Sequence, residues 1–238
     1  MIVKRYDFKI YCVVYYKEGI MFIFYFIFGC LGGSFFDCQV ERLTKNIPLL
    51  TKRSFCFHCR HPLSFWDLIP LFSQLILKGK CRYCDQVIPK SHLLSEILCG
   101  CLGVLYFFQI ISFQQLILCC ALYFISFCDI RSKSFPLVLW LIPFMLLLPS
   151  TTFSLFTLLF LLFSVLSQKI NIGIGSGDFL AISLISFDLQ LEQLLWLIQL
   201  ASFLAIIYFS FKKKNESIPF VPFLSVSYLI ILSSNFLF

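Results

Sequence analysis

Two aspartates, distant in the chain, carry the side chains best suited to chemistry. Asp178 follows Gly175-Ser176-Gly177 at the start of an apolar run, and Asp129 ends another. A carboxyl at a membrane boundary is costly, and the first reading of such a residue is functional. Two carboxyls held close together share one proton, because like charges drive their titrations apart. One then takes a proton from water while the other donates to a scissile carbonyl oxygen, which is aspartyl protease chemistry. The structural alternatives are Asp129 as a loop acid paired with Arg131 or Lys133, and Asp178 as a helix N-cap. Gly173, Gly175 and Gly177 leave room for close approach beside the carboxyl. They form no phosphate loop, since no Lys-Ser/Thr follows. Asp188, beside Glu192, reads as a solvated loop acid, as do Asp37, Asp67 and Asp85 in a polar hairpin.

A second constellation is metallic. Cys56-Phe57-His58-Cys59 and Cys81-Arg82-Tyr83-Cys84 are two CxxC turns separated by 21 residues. Each turn offers two thiolates, and two such turns make one tetrahedral zinc site ligated by Cys56, Cys59, Cys81 and Cys84. Four protein ligands leave no open position, so the zinc is expected to be structural and to supply the folding energy of a loop without a core. The alternative is disulfides or a redox dithiol; a cytoplasmic setting disfavours the first and the lack of a βαβ pattern the second. His58, His61 and His92 are possible substitute ligands that read more simply as surface histidines. The other eight cysteines (Cys12, Cys30, Cys38, Cys99, Cys101, Cys119, Cys120 and Cys128) lie in or beside apolar runs and read as small packing residues.

The elements that must position these groups are membrane helices. The 238 residues are 60% hydrophobic and 13% charged, with mean hydropathy +0.91. A soluble domain carries about 25% charged residues. Long apolar runs at about 20–36, 93–111, 113–128, 135–148, 153–166, 179–187, 194–211 and 218–238 argue for an all-α, polytopic helical bundle and against a barrel. That is eight spans, or seven if the short run after Asp178 does not cross. The expected organisation is an N-terminal tail (1–19), a first span (20–36), a cytoplasmic zinc-binding domain (37–92) and a transmembrane domain (93–238) holding both aspartates. Residues 1–20 lack a cleavage pattern; translation starting at Met21 would explain their awkward basic charge.

With residues 37–92 assigned to the cytoplasm, the inside loops carry nine, two, one and three Lys+Arg and the outside connections none. This is a positive-inside pattern. It accounts for the net charge of +7 without nucleic acid, so the lipid bilayer is the expected partner. The N-terminal tail falls outside with four basic residues and disagrees. Asp129 then ends the third span and Asp178 begins the sixth, both at the cytoplasmic boundary.

With these residues in view, the chain resembles the prepilin peptidases, bifunctional leader peptidases and N-methyltransferases of type IV pilus-like systems. The resemblance runs from about Gly32 to Leu224. It rests on Gly33-Ser34-Phe35 with Arg42, the two CxxC pairs, Asp67-Leu68-Ile69-Pro70 with Ser73-Gln74, and Gly79-Lys80-Cys81-Arg82-Tyr83-Cys84. It continues through Glu96, Asp129 with Phe135-Pro136, the GxGD of Gly175–Asp178, and Ile218–Leu224. Asp37 stands where the family has Asn, and Val221 where it has Gly. The resemblance implies that Asp129 and Asp178 are catalytic. It also implies that the substrates are prepilin or pseudopilin precursors, cut after Gly at the cytoplasmic face of the cell membrane. N-methylation from S-adenosylmethionine would follow, and the short chain looks most like the competence branch. Two readings compete: a non-catalytic, zinc-stabilised assembly factor, and a small transporter relaying protons. A transporter would favour acids near the bilayer midplane.

Overall fold

The structure, a computed structural model, describes residues 3–45, 47–49, 53–150, 155–169, 175–211 and 219–234, with side chains from residue 20 onward. Gly173, Ile218, the basic run 212–217 and the Cys12 side chain lie outside the described residues. The helices are α1 (Val3–Thr44), α2 (Phe72–Ile76), α3 (Lys90–Phe107), α4 (Phe113–Ser132), α5 (Leu137–Leu147), α6 (Leu155–Lys169), α7 (Ser176–Ile185), α8 (Leu191–Phe211) and α9 (Val221–Ser234). Among the described residues no strand forms, only two isolated bridges. The all-helical membrane architecture stands. Among the described residues three segments, Ile20–Thr44, α4 and α8, are long and apolar enough to cross a bilayer, while α5, α6, α7 and α9 are shorter apolar helices. At 1.5 Å per residue, the ten residues of α7 reach about half of a hydrocarbon core of ~30 Å.

The chain divides into two units, Met1–Ser112 and Phe113–Phe238. In the first, α1 packs on α3. The helices approach at Gly33, where a Cβ would stand 2.6 Å from the Ser95 carbonyl oxygen. That contact is the physical content of the Gly-Ser-Phe motif: a side chain there would push α3 away. No breaker follows Phe36, and α1 continues to Thr44. Its extra turns carry Asp37 and Glu41 to His92 in the first turn of α3. His92 Nδ1 meets Asp37 Oδ2 at 2.5 Å, and Nε2 meets Glu41 Oε2 at 2.9 Å. Those carboxylate oxygens have no aligned hydrogen bond, so the attraction is ionic. Two sequence readings are corrected here. Asp37 is fully buried, not a solvated hairpin acid, and His92 is its partner, not a surface histidine.

In the second unit α4, α7 and α9 form the core, with α5 and α6 against α7 and α8 against α9. Short polar side chains tie the helices together, as expected where lipid supplies no hydrophobic drive. Ser126 Oγ and Ser225 Oγ lie 2.6 Å apart between α4 and α9, and Thr157 Oγ1 and Ser186 Oγ lie 2.8 Å apart. Trp140 Nε1 donates to the Leu180 carbonyl at 2.9 Å. Asp188 is also corrected. It is no solvated loop acid; its Oδ2 accepts from the buried Tyr228 hydroxyl at 2.8 Å and from Gln115 Nε2 at 3.4 Å.

Candidate functional site

Asp129 and Asp178 reach the same end of the second unit because α4 and α7 run antiparallel. Gln115, in the first turn of α4, meets Asp188 just beyond α7, while Asp129 lies in the last turn of α4 and Asp178 in the first turn of α7. Asp129 is buried. Its Oδ2 accepts the Val221 backbone N–H at 3.2 Å. Arg131, the partner a loop reading would assign, lies over the Phe127 ring, 4.2 Å from its centroid. Asp178 is the third residue of α7, and Gly175 holds the N-cap position. The Asp178 N–H donates to the Gly175 carbonyl at 3.1 Å. Gly177 has a steric reason: a Cβ there would lie 2.8 Å from the Phe135 ring, just past α4.

Sequence reasoning missed the role of Val221. It opens α9, with Phe220 as the preceding cap whose carbonyl accepts from Phe223 and Leu224. The first N–H groups of a helix have no partner within it. Pro222 has no N–H, and Phe223 donates to Phe220, so the Val221 amide is left to reach Asp129. The signal was present as prolines 219 and 222, which mark a helix start. Ser225, one turn on, fixes the register through Ser126.

The four predicted zinc ligands come together in the first unit. One sulfur from each of Cys56, Cys59, Cys81 and Cys84 lies within 4.8 Å of the others. The two turns repeat one geometry. Cys56 N–H donates to His61 O at 3.0 Å and Cys81 N–H to Gln86 O at 2.9 Å; Arg60 and Asp85, at the tips, have φ of 61° and 54°. Burial works against charge on Cys56, but the backbone N–H groups of Cys59 and His58 hold its thiol down at about 7. Four convergent thiols are the donor set zinc takes. No described cysteine forms a disulfide. His58 is exposed, and His61 stacks on Tyr83 with centroids 3.7 Å apart. Asp67 braces the two turns, bonding Ser64 Oγ at 2.7 Å and Arg82 Nε at 2.9 Å. Despite burial, these partners hold its carboxyl below the usual range. Glu96 of α3 accepts from the Leu71 N–H at 2.8 Å and so anchors the hairpin.

A cavity of about 1060 Å³ opens between the hairpin and the ends of α1 and α3, lined in part by Phe35, Gln39, Glu41, Arg42, Phe55 and His92. Arg42 Nε and Gln39 Oε1 are buried without hydrogen-bond partners.

Comparison with known proteins finds relatives of the chain. Residues 27–110 match the bacterial peptidase A24 N-terminal domain. The chain is 26% identical to the prepilin leader peptidase/N-methyltransferase of Vibrio cholerae serotype O1, over 91% of this chain and 98% of that protein. It is 27% identical to the one from Bacillus subtilis, over 71% and 74%. The protein of the same name from Klebsiella pneumoniae is 40% identical over 34% of this chain and 39% of its own length. No solved structure matches.

Proposed function

We propose, on the premise that this chain is a member of the prepilin peptidase family, that it is a membrane-embedded aspartyl endopeptidase. It removes the leader of type IV prepilin-like precursors, pseudopilins of the competence branch included, by cutting after Gly at the cytoplasmic face of the cell membrane. The observation that carries the reading is the arrival of Asp129 and Asp178, from α4 and α7, at one end of a packed helical core. One carboxylate accepts a proton from water as the oxygen attacks the scissile carbonyl. The other carboxyl donates its proton to the carbonyl oxygen. Collapse of the tetrahedral species breaks the C–N bond: the departing amine takes up the proton first removed from water, and the second carboxylate regains a proton from the diol hydroxyl that becomes the new carbonyl. The Val221 N–H orients Asp129 for this step, and the Gly177–Phe135 contact seats α7. Zinc, held by the four cysteines, shapes the hairpin and takes no part in hydrolysis.

The relatives' names include N-methyltransferase, and the cavity of the first unit suits a methyl donor such as S-adenosylmethionine. Arg42 offers a buried, unpartnered donor for its carboxylate, Glu41 an acceptor for its hydroxyls, and Phe35 and Phe55 apolar rings for its base. When bound, that donor supplies an electrophilic methyl group to the amine exposed by cleavage. Co-expression with a candidate prepilin, followed by N-terminal mass analysis, tests both activities. Asp129→Asn and Asp178→Asn are each expected to abolish cleavage while the protein still inserts. Normal processing by both variants would refute the protease reading.

A further inference from the structure

The zinc hairpin is built inside out for a body in water. Asp67, Ser73 and Gln74 turn inward, where Asp67 is bonded to Ser64 and Arg82, and Gln74 Nε2 approaches Glu96 at 3.4 Å. The apolar side chains of the same segment are exposed: Phe65, at the rim of the cavity, is 75% exposed, Trp66 64% and Leu75 70%, with Leu68, Phe72 and Ile76 exposed around them. A soluble protein rarely leaves so large a contiguous apolar patch open without a partner.

The structure also fixes the depth of that patch within its own unit. The Leu71 N–H is bonded to Glu96, which lies in the second turn of α3. At that level α3 itself exposes Leu94, Ile97 and Leu98. The Leu71–Glu96 bond thus ties the 3-10 turn Phe65–Leu68 and helix α2 to α3 at the level of its own exposed apolar side chains. Lys78 and Lys80, just past the C-terminal end of the segment, and Lys90, which opens α3, are exposed, where anionic headgroups would sit. Aromatic side chains beside lysines, along an apolar face, suit the boundary between headgroups and acyl chains.

We propose that the segment Phe65–Ile76 docks on the bilayer, inserting Phe65, Trp66, Phe72, Leu75 and Ile76 at the headgroup–acyl boundary. The docked segment clamps the zinc hairpin flat against the membrane, so the cavity beside Arg42 is presented at the lipid surface. A substrate whose cut site adjoins its own membrane helix would meet it there. The docking stands on the hairpin's surface alone; the consequence for substrate rests on the proposed peptidase reading.

The test uses the full chain with bound zinc in vesicles of phosphatidylcholine and phosphatidylglycerol, some with brominated acyl chains. The Trp66 signal is obtained by subtracting the emission of Trp66→Phe from that of the unaltered protein. The expected result is a blue-shifted Trp66 component quenched by brominated lipid and spared by aqueous iodide. Leu75→Asp with Ile76→Asp should reverse both effects while zinc content stays at one per chain. Quenching by iodide in the unaltered protein overturns the proposal. Protection from both quenchers overturns it too, because the patch is then covered by protein. Prepilin cleavage, scored separately, reports the peptidase reading and does not enter this outcome.

Discussion

Replacing Val221 by proline removes one hydrogen atom from the site while suiting the helix that carries it. Proline is favoured at the first position of a helix, where its missing N–H has no intrahelical partner. Val221 holds that position in α9. What is lost is the donor to Asp129 Oδ2, a 3.2 Å bond between two buried residues. Hydrogen bonds to charged groups contribute ~1.5–3 kcal/mol, and the long distance argues for the lower half of that range. At 1.36 kcal/mol per factor of ten, cleavage should slow by roughly 10- to 30-fold. On the proposed mechanism the loss falls on kcat, since either carboxyl acts on the reacting atoms and not on binding of the leader. The assay is single-turnover cleavage of a prepilin-type precursor in vesicles, with Val221→Ala alongside. Alanine keeps the N–H, so Val221→Pro should lose at least tenfold more than Val221→Ala. Equal losses would show that the valine side chain matters and the amide does not. A wild-type rate for Val221→Pro would refute the role of the amide outright.

Other outcomes follow from the same geometry. Cys56→Ser, or a strong chelator, should release the metal and unfold the hairpin, since structural zinc contributes ~10–16 kcal/mol to small domains at neutral pH; metal analysis finding no zinc in the unaltered protein would refute the assignment. Burial disfavours the charge on His92, but Asp37 and Glu41 prevail and raise it from 6.5 to about 9. Its contribution is complete below about 6.5 and lost as pH rises through about 9, a loss of ~3 kcal/mol from linkage. The thermal midpoint should therefore fall between pH 6.5 and 9.5 more steeply in the unaltered protein than in His92→Gln; parallel curves would contradict the ion pair. Tyr228→Phe removes the hydroxyl that donates to Asp188 and should destabilise the second unit by ~1–3 kcal/mol, read as a lower unfolding midpoint. An unchanged midpoint would mean that Gln115 alone satisfies Asp188.

What the sequence determined by itself is what short-range spacing and composition can encode. Two CxxC turns specify four converging thiols because each turn is a local geometry, and both adopt the same one. Apolar runs specify helices, and among the described residues each of the eight runs holds one. Their lengths were less legible: α7 stops at ten residues, and α1 runs on to Thr44. Helix ends depend on caps and partners as well as on hydropathy. Only the tertiary structure decided the pairings across long stretches of chain. Asp37 reads as a surface acid until α3 brings His92 to it. Asp188 reads the same way until Tyr228 arrives from α9. Val221 looked like a mere departure from glycine. Folding makes its amide, 92 residues from Asp129, the donor to that carboxylate. A backbone N–H is carried by every residue but proline, so nothing in the side-chain sequence marks the one that will be aimed at a carboxyl. That direction is set by where α9 begins and by the neighbour it packs against.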